Sequence, residues 1–200
     1  MNKLAILVSG RGTNMIALHK ATLDGRLNAQ VGLVISNKKD APALEYCREN
    51  NLPCLVMKLK DYPTRVDHAN AMIDEIEKAG CNLVVLAGYM LLVPENFVDH
   101  FKYRMLNIHP ALLPSFPGVD GIKQAFEYGV KFTGVSVIFV SHGCDDGEII
   151  MQKTVEILET DTLEILEEKI HKVEHEIFWQ AVKIVLDGKF KIKGRKVEIL

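Results

Sequence analysis

"KLAILVSGRGTNMIALHKATLDG", residues 3–25, decides the fold. Its first seven residues form an apolar run, a glycine turn follows, and Ile16, Leu18, Ala21 and Leu23 then recur as one face of a helix. This is a strand feeding a helix. The pattern repeats downstream: "AQVGLVIS" (29–36), "PCLVMKL" (53–59) and "CNLVVLAG" (81–88) read as strands, with helices expected over 42–50 and 64–79 between them. Strands that are apolar on both faces and alternate with helices imply a parallel sheet covered on both sides, an α/β fold of nucleotide-binding type.

From residue 105 the pattern changes. "RMLNIH" (104–109), "GVSVIFVS" (134–141) and "EIIMQKTVEI" (148–157) are strand-like, and the last two are expected to pair antiparallel across a turn at 142–147. Pro114, Pro117 and Gly118 mark an irregular loop, and "IKQAFEYG" (122–129) a short helix. A long final helix is signalled by Asp161 and Glu164 at capping-box spacing. Leu163, Leu166, Ile170, Val173, Ile177, Ala181 and Ile184 then recur up to a Gly188 cap. That apolar stripe is expected to face the sheet. The tail "KFKIKGRKVEIL" (189–200) alternates apolar and charged residues around Gly194, which fits a peripheral hairpin without evident chemistry. One domain over residues 1–187 with a hairpin or tail at 188–200 follows.

Composition bounds the function. Two hundred residues, 48% of them apolar and 25% charged, hold one soluble core of ordinary domain size. Twenty-four Lys and Arg against 26 Asp and Glu leave a formal charge of −2, which lacks the electrostatic footprint of a nucleic-acid binder. The apolar runs are short and the N-terminus has no leader pattern, so no membrane association and a cytoplasmic location are expected. Cys47, Cys54, Cys81 and Cys144 contain no C-x-x-C pair and are read as reduced thiols, the first three packing as small apolar groups.

Two stretches carry candidate chemistry. "SGRGTN" (9–14) lies between a strand and a helix, where free N–H groups attract an anion and where Gly10 and Gly12 remove side chains that would obstruct a phosphate. Thr13 and Asn14 add donors. The dinucleotide fingerprint fails because Met15 occupies its third glycine position, and no Gly-Lys-Ser/Thr is present. A single phosphate fits best, against the plainer reading that such turns need glycine anyway. In "RMLNIHPALLPSFPG" (104–118), Asn107 and His109 share one face of a strand while Leu106 and Ile108 share the other. Pro110 ends that strand and leaves amide and imidazole at a sheet edge, where open α/β sheets bind ligands.

"SHGCDDGEII" (141–150) is an acidic turn, and a carboxylate brought from it to His109 would pair with the imidazolium and fix its orientation. Asn, His and Asp together can steady a tetrahedral oxyanion and move protons. The alternatives are a solvated acidic turn, or a metal site at His142, Cys144, Asp145 and Asp146. The metal is disfavoured because adjacent residues rarely converge on one ion and the set lacks a recognised ligand spacing.

"SGRGTN", "LAGYMLLV" (86–93), "LNIHPALLPSFPG" (106–118) and "CDDGEII" (144–150) occur in the order found in the phosphoribosylglycinamide formyltransferases of purine synthesis. The chain resembles that family from residue 3 to about 187. The resemblance implies a Rossmann-like, mostly parallel sheet with helices on both faces and antiparallel pairing near the C-terminal part. It implies transfer of a formyl group from 10-formyltetrahydrofolate, as co-substrate, to the amine of glycinamide ribonucleotide, without a metal. By similarity, Asn107 and protonated His109 stabilise the oxyanion, and Asp145 holds His109 charged and helps pass the amine proton. Gly12, Thr13 and Asn14 grip the substrate phosphate. Glu174 binds the ribose hydroxyls, although most helix carboxylates merely face water. Arg65 lies near the folate end, and Tyr89, Met90, Leu91, Leu92 and Val93 line the pterin pocket with Ser141, His142, Gly143, Cys144 and Asp145, largely through backbone groups.

Three residues depart from the family pattern: Asp120 where many members carry His, Asp146 where Gly is frequent, and Leu91 where Arg is common. Formyltetrahydrofolate hydrolases and methionyl-tRNA formyltransferases share the Asn-His-Asp set. They usually carry an N-terminal regulatory or a C-terminal tRNA-binding domain, for which this length is expected to leave no room. A non-catalytic nucleotide-phosphate-binding module would need only the glycine turn and the fold. Oligomeric state leaves no trace in the sequence, and neither does the choice among the bonds before Pro110, Pro114 and Pro117 for a cis peptide.

Overall fold

Leu4, Ala5, Ile6, Leu7 and Val8 have no exposed surface in the computed structural model, which describes residues 1–200. They belong to β1 (Asn2–Val8), paired in parallel with both β2 (Ala29–Ser36) and β4 (Leu83–Leu86). β3 (Cys54–Val56) adds in parallel to β2, so the strand order within the compact unit Met1–Leu106 is β3-β2-β1-β4. A strand hidden on both faces has to be apolar throughout, which is why these segments show no alternation. The pairing of β1 with β2 slips by one residue at Gly32. A Cβ there would lie 2.8 Å from Cys81 Sγ and 3.2 Å from Lys3 Cβ, so the bulge closes only on glycine.

The helices of this unit are α1 (Thr13–Leu23), α2 (Pro42–Glu49), α3 (Arg65–Lys78) and α4 (Glu95–His100). Proline opens α2, and Thr64 caps α3 by accepting from the Asp67 N–H at 3.1 Å. The face expected for α1 needs correction. Asn14, Met15, Leu18, His19 and Ala21 are its buried residues, whereas Ile16 is half-buried and Leu23 is 71% exposed. Packing against α2 sets this face: Met15 Sδ meets Cys47 Sγ at 3.8 Å, and His19 Nδ1 reaches the Tyr46 hydroxyl at 2.9 Å. The short helix α4 carries too few turns to show a period, and the sequence reading did not expect it.

β5 (Met105–His109) spans the division at Leu106 and Asn107. The unit Asn107–Leu200 contains α5 (Gly121–Tyr128), β6 (Phe132–Phe139), β7 (Ile149–Glu156), α6 (Leu163–Leu186), β8 (Phe190–Lys193) and β9 (Lys196–Ile199). β6 and β7 pair antiparallel, as their short connection implies, from Phe132 opposite Glu156 to Ile138 opposite Ile149. β9 joins β7 in parallel at Ile149 and Lys196 and pairs antiparallel with β8, giving the order β6-β7-β9-β8. The C-terminal hairpin therefore continues a sheet. The mostly parallel α/β architecture with antiparallel pairing toward the C-terminus is the expected one.

α6 packs on β6 and β7 through Leu166, Ile170, Ile177, Phe178, Ala181 and Val182. Its cap is Thr162, not Asp161: the Thr162 hydroxyl accepts from Ile165 N–H at 3.3 Å. Asp161 instead accepts from Leu158 N–H at 2.9 Å and pairs with Lys169 Nζ at 2.5 Å. Gly188 (φ 64°) ends the helix as expected. The Leu113–Pro114 peptide is cis. All four cysteines are free thiols, and burial pushes Cys47 up to about 12 and Cys81 up to about 11. No helix is long and apolar enough to cross a membrane.

Candidate active site

β5 delivers Asn107 and His109 to one carboxylate. Leu106 and Ile108 are buried on the opposite side, as strand alternation requires. Asn107 Nδ2 donates to Asp145 Oδ1 at 3.1 Å, His109 Nδ1 lies 3.3 Å from Asp145 Oδ2, and the Gly118 N–H donates to the same oxygen at 2.8 Å. The far ring nitrogen, Nε2 of His109, is 2.7 Å from the Phe116 carbonyl oxygen. A carbonyl only accepts, so Nε2 carries a hydrogen. Nδ1 faces a carboxylate, which also only accepts, so the imidazolium is the form that satisfies both neighbours. The histidine is buried, with 3% of its surface exposed.

The backbone bends to deliver these groups. Phe116 (φ 54°) and Asp145 (φ 51°) both sit in the left-handed region, at a cost on the order of 1–2 kcal/mol each. The buried Ser136 and the exposed Gln152 hold the intervening loop. Ser136 Oγ donates to the Ala111 carbonyl at 2.7 Å and accepts from Leu113 N–H at 3.0 Å, while Gln152 Nε2 donates to the Leu113 carbonyl at 2.9 Å. The sequence reading found Asn107, His109 and Asp145 but missed the Phe116 carbonyl, the Gly118 N–H, Ser136 and Gln152. Backbone groups carry no residue-type signal, and Ser136 and Gln152 lie inside ordinary strands.

Within the loop 141–147, the Ser141 hydroxyl donates to the Asp146 carboxylate, and Cys144 Sγ lies 3.6 Å from Asp145 Oδ2. His142, Gly143 and Cys144 are exposed, and Ser141 is half-buried. A Cβ at Gly143 would fall 2.6 Å from the Asp146 carboxyl carbon, so a larger residue there has to displace the exposed Asp146 side chain. No group of three His, Cys, Asp or Glu side chains is arranged to hold a metal ion. On α6, Glu174 is buried and its Oε2 accepts from His171 Nδ1 at 2.8 Å, unlike the water-facing carboxylate that helices usually carry. Asp120 (φ 58°) opens α5 without a side-chain cap bond.

In the unit Met1–Leu106, the glycine turn behind β1 is tightly built. Gly12 (φ 72°) is the N-cap of α1, and its missing Cβ would lie 2.6 Å from Ala43 Cβ. No side chain caps this helix and no acidic residue stands in its first turn, so its dipole faces an anion uncontested. Thr13 is half-buried and Asn14 buried beside it. Ser9, inside the quoted motif but unassigned from sequence, accepts from Met90 N–H at 2.8 Å and donates to Asn37 Oδ1 at 2.7 Å. The glycine turn and the 88–93 strip are thus tied together. Arg65, Tyr89, Leu91, Leu92 and Val93 line a common cavity of about 10 Å³, too small in this conformation for a bicyclic ring. Met90 lies outside that lining and is mostly exposed. Burial pushes the Tyr89 hydroxyl up to about 12, and it donates to Met72 Sδ at 3.7 Å.

Comparison with known proteins gives these features a context. Residues 2–182 match the formyl transferase family. The phosphoribosylglycinamide formyltransferase of Bacillus subtilis is 36% identical over 186 residues, covering 93% of this chain and 95% of that protein. The chloroplastic phosphoribosylglycinamide formyltransferase of Arabidopsis thaliana is 37% identical, covering 99% of this chain and 70% of its own. Among solved structures, glycinamide ribonucleotide transformylase 1 from Symbiobacterium toebii superposes with a TM-score of 0.97 at 42% identity, covering 100% of this chain and 94% of that one. With its motifs, its sheet and these full-length likenesses in agreement, the chain belongs to the formyl transferase family.

Proposed function

We propose that this formyl transferase moves the formyl group of 10-formyltetrahydrofolate onto the amine of glycinamide ribonucleotide, giving N-formylglycinamide ribonucleotide and tetrahydrofolate. The observation that carries the reading is the convergence of the Asn107 amide, the His109 imidazole and the Gly118 N–H on Asp145. Relatives named for this reaction, similar over nearly the whole chain, support it.

In this reading the substrate amine attacks the formyl carbon and the carbonyl oxygen becomes an oxyanion. The second N–H of the Asn107 amide is the donor for that oxygen, the positive charge of the His109 imidazolium held by Asp145 stabilises it, and the Phe116 carbonyl keeps the ring from turning away. The carbon–nitrogen bond to the folate then breaks. The amine proton passes to the departing folate nitrogen, with Asp145 as the acceptor along the way, directly or through water. Gly12, Thr13 and Asn14 hold the substrate phosphate at the start of α1, where no protein carboxylate competes. Glu174, oriented by His171, takes the ribose hydroxyls. Arg65, residues 89–93 and residues 141–145 take the folate, whose pterin requires the small cavity beside Leu91 to widen. Residues 1–187 form the formyltransferase domain, with 188–200 as an appended hairpin. Both substrates are small soluble molecules, and the reaction is assigned to the cytoplasm.

Formyl transfer to glycinamide ribonucleotide by the purified protein tests this reading. Asn107→Ala is expected to lower kcat by about 10²–10³-fold, the usual effect of deleting one oxyanion donor, with the melting temperature retained. Turnover unaltered by that change would reject the assignment. A phosphate-binding module without chemistry would show no turnover in either form.

A further inference from the structure

The C-terminal hairpin has no part in the reaction as described so far. Its turn, however, reaches the loop that carries Asp145. β8 and β9 are joined at Gly194 and Arg195, and Arg195 Nη2 donates to the Asp146 backbone carbonyl at 2.5 Å. The parallel pairing of Ile149 with Lys196 brings the hairpin turn to the end of β7 from which this loop departs.

The loop needs such a hold. At its base the Phe139 N–H donates to the Glu148 carbonyl at 2.9 Å, and a Cβ on Gly147 would lie 1.7 Å from the Phe139 carbonyl oxygen. Beyond that base, Asp145 adopts a left-handed backbone (φ 51°) that its side chain disfavours. Three contacts oppose relaxation of that conformation: the Asp145 carboxylate on Gly118 N–H, Ser141 on the Asp146 carboxylate, and Arg195 on the Asp146 carbonyl. The last acts one peptide beyond Asp145, at the carbonyl of the Asp146–Gly147 bond, and ties the loop backbone to the hairpin. Releasing that carbonyl frees the Asp146–Gly147 peptide to turn, which lets the neighbouring left-handed Asp145 relax toward an ordinary conformation and swings its carboxylate away from His109.

We propose that Arg195 is a positioning residue for the formyl transfer, holding the Asp146 carbonyl so that the Asp145 carboxylate stays on His109 and Asn107. This rests on the reading of Asp145 as a catalytic group. Arg195 itself touches neither substrate nor reacting atoms. The hydrogen bond is exposed and contributes little to global stability. Its effect is geometric, and displacement of a catalytic group by about 1 Å can cost up to about 10²-fold in rate.

The test is a double-mutant cycle on the full chain, with kcat and both KM values from formyl-transfer assays and the melting temperature followed in parallel. Arg195→Ala is expected to lower kcat by about 5- to 30-fold, with the melting temperature and the KM for the ribonucleotide held. Arg195→Lys keeps a donor and retains most of the activity. Lys193→Ala, in the same hairpin but paired with Glu198, is the neutral control. In an Asp145→Asn background, single-turnover rates should be indifferent to Arg195→Ala, because the group it positions is already disabled. Full activity in Arg195→Ala beside a crippled Asp145→Asn overturns the inference and leaves the catalytic reading standing. An equal loss in both backgrounds also overturns it, since Arg195 would then act elsewhere. An active Asp145→Asn enzyme overturns the catalytic reading, and the inference falls with it.

Discussion

Replacing Gly12 with alanine adds one methyl group at the most confined point of the glycine turn. Two costs follow from the geometry. Gly12 sits at φ 72°, where a residue with a Cβ loses on the order of 1–2 kcal/mol. The new methyl would also stand 2.6 Å from Ala43 Cβ, about 1 Å inside the usual carbon–carbon contact distance. Overpacking of this kind costs about 1–3 kcal/mol. The sum, roughly 2–5 kcal/mol, corresponds to a drop of about 5–15 °C in melting temperature for a chain of this size. Relief can come only by moving the start of α1 away from α2, which displaces the N–H groups assigned to the substrate phosphate. Calorimetry with steady-state kinetics should therefore find Gly12→Ala less stable, with the KM for glycinamide ribonucleotide raised at least about tenfold and the KM for the folate changed less. Gly10→Ala is the internal comparison. A Cβ there meets nothing within 4 Å, and a stability change within about 0.5 kcal/mol is expected. If Gly12→Ala melted within about 1 °C of the parent, the steric and conformational reasoning would be refuted.

Two further changes test the helix cap and a buried histidine. Thr162→Ala removes the side-chain acceptor from Ile165 N–H and should cost about 1 kcal/mol, read as a lowered denaturant midpoint with unchanged slope; Asp161→Ala matching it would return the cap to Asp161. Burial lowers the proton affinity of His19, whose Nδ1 meets the Tyr46 hydroxyl. Below the unfolded value of about 6.5 the denatured chain takes up a proton that the native ring resists, so stability falls as pH drops through that range and rises again above it. His19→Gln should flatten this part of the stability profile, and an unchanged profile between about pH 5 and 7 would count against it.

Periodicity was legible wherever burial is one- or two-sided over several residues. β2 begins and ends as the apolar run "AQVGLVIS" does, and the strand alternation that put Asn107 and His109 on one face is the one observed. What escaped the sequence was decided by partners. Asp161 and Thr162 are both plausible caps, and the choice falls to Thr162 because Lys169 and the Leu158 N–H claim the aspartate. The buried side of α1 turned toward Met15 and His19 because Cys47 and Tyr46 wait on α2. Glu174 looked like any helix carboxylate until His171 and its own burial came into view. The groups that complete the catalytic cluster, a carbonyl at Phe116 and an N–H at Gly118, exist in every residue and become specific only through backbone conformation.

The carbonyl of Phe116 on the far side of His109 leaves the imidazole with one working end. An oxygen that can only accept offers no hydrogen to replace one withdrawn, so the ring is a cul-de-sac and not a conduit between two faces of the protein. Exchange with bulk water at the histidine has to pass the carboxylate side, and isotope entering from solvent should reach Nδ1 long before Nε2.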